Sequence, residues 1–197
     1  MSALSEFFSF FCHQLPSRSP HFDGGHFPLC YRCTGLHLGF LVSYLYLAGT
    51  GGWARRLPAL EAVIAGCPII AVFLFDSWGN FLRLWDSPGW VRALFGVGVG
   101  IMLPMLLLPL ARQSIPSLNP SFSNVQALAL PIGLAAFLLL TFLKAQTAWS
   151  FGLVAFLCAA GTLLFVINFV LAGYRIWEDS MNLRRRAPAQ AILGLKP

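Results

Sequence analysis

Cys12, His13, Cys30 and Cys33 lie close together near the N-terminus, and their types and spacing suit two chemistries. A thiolate is both a metal ligand and a nucleophile. Cys30-x2-Cys33 is a usual zinc half-site, because two ligands three apart can grip one ion from a single helical turn. Cys12, with His13, His26 or His37, could complete a tetrahedron. The same pair at the end of a membrane helix could instead exchange disulfides, with Cys12 as the exchange partner and a quinone as electron acceptor. A third reading is a staple, in which the cysteines only fasten the N-terminal segment. If a helix starts at Pro28, where a missing N–H costs nothing, then Cys30, Cys33 and His37 fall on one stripe. Cys30 would sit in its first turn, among unpaired N–H groups that favour a thiolate. His21 and His26 flank Phe22-Asp23-Gly24-Gly25, which reads as a turn. His37 reads equally well as a ligand or as a hydrogen-bonded core histidine. Cys67 and Cys158 fall within apolar stretches and read as small buried hydrophobes.

A second constellation follows at Asp76 to Arg92. Asp76, Asn80 and Arg83 are spaced i, i+4, i+7, one face of a continuing helix. Together with Arg18 and Arg92 they could meet the phosphate or carboxylate head of a substrate. Local ion pairing with snorkelling would explain the same residues without a ligand. Trp78, Trp85 and Trp90 read as an interfacial aromatic belt.

The elements that position these groups are apolar. The 197 residues are 57% hydrophobic and 10% charged, and mean hydropathy is +0.72, whereas soluble domains carry about 25% charged residues. Five stretches approach the ~20 residues needed to cross a bilayer: about 29–49, 58–75, 90–110, 125–143 and 149–173. Residues Leu4 to Phe11 are too short to span and read as an interfacial helix. Small residues four apart, Gly35/Gly39 and Gly96/Gly100, let helix backbones approach closely. Gly96-Val97-Gly98-Val99-Gly100 has no preceding strand and is not a nucleotide loop. Asn168 is expected to hydrogen-bond a neighbouring helix. The net charge of +6 is scattered apart from Arg184-Arg185-Arg186, which suits an anchor on anionic lipid and not a nucleic-acid site.

Glu6 in place of a basic start argues against a signal peptide. Putting the C-terminus inside gathers Arg55, Arg56, Arg112, Arg175, Arg184, Arg185, Arg186 and Lys196 on the inner face, against Arg18, Arg32, Arg83, Arg92 and Lys144 outside. That bias favours an outer N-terminus in the cell (inner) membrane. One helical hairpin separates the N-terminal segment from the loop between the second and third stretches. The thiols and the Asp76–Arg92 loop must therefore share a face.

The string Cys12-His13-Gln14, Pro16, Arg18-Ser19, Gly25, Pro28-Leu29-Cys30, Arg32-Cys33-Thr34-Gly35 and Gly39 resembles the signature of a bacterial and archaeal membrane-protein family, domain of unknown function 2085. Asp76, Arg92, Gly96 and Gly100 are similar to a second family stretch. The resemblance covers about Phe11 to Gly100 and names no activity. It implies that Cys12, His13, Arg18, Cys30, Arg32 and Cys33 form one constellation. His37 stands where a tyrosine or similar residue is expected in relatives, which favours His13 over His37 as a ligand.

The expected protein is all-α and polytopic. A single membrane domain comprises an interfacial Cys/His segment (1–28), transmembrane helices (29–173) and a basic cytoplasmic tail (174–197). The leading function is a zinc site built from Cys12, His13, Cys30 and Cys33, beside a lipid-like or membrane-proximal substrate held by Arg18, Asp76, Arg83 and Arg92. A thiol–disulfide oxidoreductase using Cys30 and Cys33 comes second. A small-solute or lipid transporter with a structural cysteine cluster comes third. The bilayer is the expected partner.

Overall fold

The structure, a computed structural model, describes residues 3–22, 25–50, 60–112, 132–136, 138, 139, 141 and 147–192. A short helix α1 (Ala3–Ser9) and a 3-10 turn (Pro16–Arg18) lead into a two-stranded antiparallel hairpin, β1 (His21–Phe22) and β2 (Gly25–His26). His21 pairs with His26 across it, as the turn reading required. Long helices follow: α2 (Tyr31–Thr50), α3 (Leu60–Phe81), α4 (Gly89–Arg112) and α5 (Ala148–Ile192). The fold is mostly helical. Among the described residues, Gly89–Leu108 and Trp149–Asn182 are long and apolar enough to cross a membrane. Arg32, Thr34, His37 and Ser43 dilute α2. The fourth apolar stretch and Lys144 lie largely outside the described residues, although Ala135 and Leu139 are fully buried in the core.

The crossing of α2 with α4 is set by small residues on both partners. A Cβ on Gly35 would meet the Ala93 carbonyl, and one on Gly39 the Val97 carbonyl. In return, a Cβ on Gly96 would meet the Arg32 carbonyl, and one on Gly100 the Leu36 carbonyl. The two spacings legible in the sequence thus interlock with each other. Ser43 Oγ donates across this crossing to the Ile101 carbonyl at 2.9 Å. Gly161 of α5 sits against the His37 carbonyl. Residue numbers rise together along the α2–α4 contacts, and also along the α2–α5 contacts Thr34–Cys158, His37–Thr162 and Phe40–Phe165, so α2, α4 and α5 run in the same direction.

Two polar core residues bear on the sequence readings. His37 is 4% exposed, and its Nδ1 lies 3.1 Å from Thr162 Oγ1, so it is a hydrogen-bonded core histidine. Thr162→Val leaves that ring nitrogen unpaired and is expected to cost about 1–3 kcal/mol, read as a lower melting temperature in detergent. Among the described residues, the hydrogen bond of Asn168 stays within its own helix. Its Nδ2 donates to the Leu164 carbonyl of its own helix at 2.7 Å, because a short side chain finds the i−4 carbonyl first. Cys158 is buried, as expected, whereas Cys67 on α3 is exposed.

Candidate metal centre and cavity

The segment before α2 is folded onto the helix ends by apolar plugs. Phe8, Phe27 and Leu29 are buried, and the Phe22 and Phe27 rings pack on Phe151 of α5 at 4.4 Å and 5.2 Å. Gln14 adopts φ 49°, and its side chain closes back on α1. There Nε2 donates to the Ser5 carbonyl at 2.5 Å, and Ser5 Oγ donates to Oε1 at 2.9 Å. Ser19, 1% exposed, donates from Oγ to the Leu15 carbonyl at 3.1 Å. Through these bonds the Cys12-His13-Gln14 and Arg18-Ser19 strings play a structural part, turning Cys12 toward α2.

The sulfurs of Cys12, Cys30 and Cys33 all lie within 4.8 Å of one another. Sulfurs sharing one zinc at ~2.3 Å in tetrahedral geometry are about 3.8 Å apart, so the trio fits an ion after small side-chain adjustments. All three are free thiols. Cys30 precedes α2 and does not lie in its first turn; its carbonyl accepts the first helical bond, from Thr34 N at 2.9 Å. Its own N–H instead points at Cys12 Sγ, 3.3 Å away. Hydrogen bonds from Cys30, then from Cys33, hold the Cys12 thiol well below the ordinary cysteine range. The thiolate expected at Cys30 is therefore favoured at Cys12. His13 is exposed and stands outside the group of mutually close ligand atoms.

The trio forms part of the wall of a cavity of about 630 Å³. His13, Arg18, Arg32, Arg83 and Arg92 contribute polar lining, and Phe11, Leu15, Phe73 and Phe81 contribute apolar lining. The structure thus brings seven of the eight candidate residues to one cavity; Asp76 is the exception.

Asp76 is 5% exposed and does not line that cavity. Its carboxylate pairs with Arg32 and accepts from Ser87 Oγ, from Asn80 Nδ2 at 3.0 Å and from Trp85 Nε1 at 3.4 Å. Asn80 extends the network. Its Oδ1 accepts from Arg92 Nη2 at 2.5 Å, and its carbonyl accepts from Arg18 Nη2 at 3.3 Å. Arg92 also pairs with Asp86. Asp76 therefore ties α2, α3 and the α3–α4 loop together, which makes it a positioning residue. Arg32 lines the cavity and holds Asp76. Spacing alone gives it no such part, and its one signal in the sequence is its place in the Cys30–Gly35 string.

Arg83 does not continue the face of α3 as its spacing suggested. The helix ends at Phe81, Arg83 takes φ 57°, and Leu84 N bonds to the Gly79 carbonyl at 2.9 Å. This is the left-handed C-terminal stop at which glycine is usual. A side chain with this backbone costs about 1 kcal/mol. Arg83 is exposed, and among the described residues it has no ion-pair partner.

The comparisons with known proteins agree with this half of the molecule. The family model for domain of unknown function 2085, described as a predicted membrane protein, matches residues 12–106. That range holds the thiols, the arginines and the α2–α4 crossing and stops within α4. An uncharacterised protein of Methanothermobacter thermautotrophicus is 46% identical over 103 residues, which covers 50% of this chain and 86% of that protein. No solved structure matches. With that identity across most of a relative, the chain belongs to the family of domain of unknown function 2085.

Proposed function

We propose that the chain is an integral membrane protein of five crossings whose Cys12, Cys30 and Cys33 thiolates hold one metal ion at the membrane surface. One observation carries the metal site: three sulfurs from two separate segments converge at the wall of a cavity. Three thiolates suit zinc and leave a fourth position for a ligand from the cavity. His13, on the same wall, is the protein's own candidate for it. The cavity would receive a membrane-proximal substrate, its charged end met by Arg18, Arg83 and Arg92 and the wall fixed by Asp76.

Chain direction supports the crossing count. Because α2, α4 and α5 are parallel, α4 ends far from the thiols and α5 begins beside them. The shared direction of α4 and α5 supports counting the fourth apolar stretch of the sequence as a crossing. The arginine bias puts the thiols on the outer face of the cell membrane.

Metal content and free-thiol count on detergent-purified protein test the site. About one zinc per chain is expected in the wild type and almost none in Cys30→Ser or Cys33→Ser. His13→Ala distinguishes a histidine fourth ligand, whose loss weakens retention, from one supplied by the cavity. No metal, with two N-terminal thiols blocked until reductant is added, would overturn the reading in favour of disulfide exchange through Cys30 and Cys33.

A further inference from the structure

The cavity holds more positive charge than its own carboxylates answer. Arg18, Arg32, Arg83 and Arg92 line it, and among the described residues no aspartate or glutamate does. From outside the wall, Asp76 pairs with Arg32 and Asp86 with Arg92. Among the described residues, Arg18 and Arg83 have no ion pair. Two further donors belong to lining residues: Arg32 Nε and Arg92 Nε are buried, with no hydrogen-bond partner among the described residues. The Arg92 side chain is only 5% exposed. A buried, unpaired guanidinium N–H is costly, and a retained cost of this kind points to a ligand.

We propose that this cavity is an oxyanion site for a phosphate monoester, bound by Arg18, Arg32, Arg83 and Arg92. This rests on reading the cavity as a substrate site, but it does not depend on the metal. Two unanswered guanidiniums match the charge of about −1.5 to −2 that a phosphate monoester carries at pH 7. A diester carries a single charge and would leave one of them unmatched. Guanidinium forks suit phosphate oxygens. Phe11, Leu15, Phe73 and Phe81 line the same cavity and provide apolar surface for the chain of a phosphate-bearing lipid. The backbone at Arg83 agrees: a left-handed stop would be more stable with glycine, yet an arginine there reaches the cavity.

The test is native mass spectrometry of the full-length protein in detergent, titrated with phosphatidic acid, phosphatidylglycerol, phosphatidylcholine and inorganic phosphate. Phosphatidic acid is expected to bind saturably and about tenfold more tightly than either diester. Arg83→Gly is the informative variant, because it relieves the backbone while removing the guanidinium. It should melt no lower than the wild type and still lose about tenfold in phosphatidic acid affinity. Arg18→Gln should add a similar loss. Competition by inorganic phosphate at equal affinity would support the oxyanion site and assign it to free phosphate. Equal binding of all three lipids, or undiminished phosphatidic acid binding by a well-folded Arg18→Gln/Arg83→Gly protein, would overturn the proposal. Cys30→Ser separates the two readings. A metal-free protein that keeps phosphate binding sinks only the metal's part in the site, and a metal-loaded protein without phosphate binding sinks only this inference.

Discussion

Asp76→Ala is expected to destabilise the protein by about 3–5 kcal/mol, the usual cost of removing one partner from a buried ion pair. The Arg32 and Asp76 side chains are 14% and 7% exposed. Without the carboxylate, the Arg32 charge stays in a poorly hydrated site, and Ser87 Oγ, Asn80 Nδ2 and Trp85 Nε1 lose an acceptor. Asp76→Asn keeps an acceptor oxygen and should fall in between. The double change Arg32→Met/Asp76→Leu removes both charges and should recover much of the loss, since apolar replacement of a buried pair is often neutral. Thermal unfolding in detergent, run as a double-mutant cycle, reads all of these. A single-mutant cost below about 1 kcal/mol would show that the pair behaves like an exposed one and that the network does not hold the cavity wall.

Gly96→Val is expected to abolish the folded population. The first atom of any side chain there falls on the Arg32 carbonyl, which belongs to a helix backbone that cannot step aside. Overpacking of side chains costs about 1–3 kcal/mol; backbone on backbone should cost more. The expected readout is aggregation on size-exclusion chromatography for Gly96→Val and Gly35→Val. Gly152→Ala, with nothing within 4 Å of its added carbon, serves as the control and should behave as wild type. Folded Gly96→Val protein would mean that α2 and α4 do not cross at these glycines.

These two sites also show what was readable in the residues alone. Gly35/Gly39 and Gly96/Gly100 advertise a close approach, because small residues four apart have few other uses in an apolar helix. That each pair meets the other helix was not readable, since spacing carries no partner. The convergence of Cys12 on Cys30 and Cys33 was legible from residue type, and the shared face of thiols and arginines followed from a single hairpin. The Arg32–Asp76 pair was hidden because it depends on how α2 and α3 cross. Arg83 was misplaced for a local reason: i, i+4, i+7 spacing assumes that the helix continues, and a non-glycine left-handed stop carries no sequence signal. The Pro28 start that the sequence suggests sets Cys30 inside the first turn, whereas the helix begins after it, so the favoured thiolate lies at Cys12.

The parallel run of α2, α4 and α5 has an electrostatic consequence. Aligned peptide units give each helix a macrodipole worth about +0.5 charge at its N-terminus and −0.5 at its C-terminus. Bundles of alternating helices largely cancel these ends. Here Tyr31, Gly89 and Ala148 bring three positive ends to the side that holds the thiols, and α3 returns one negative end. Among the described helices the surplus on this side is positive. The fold itself thus biases this face toward anions, thiolate and phosphate alike, before any side chain is counted.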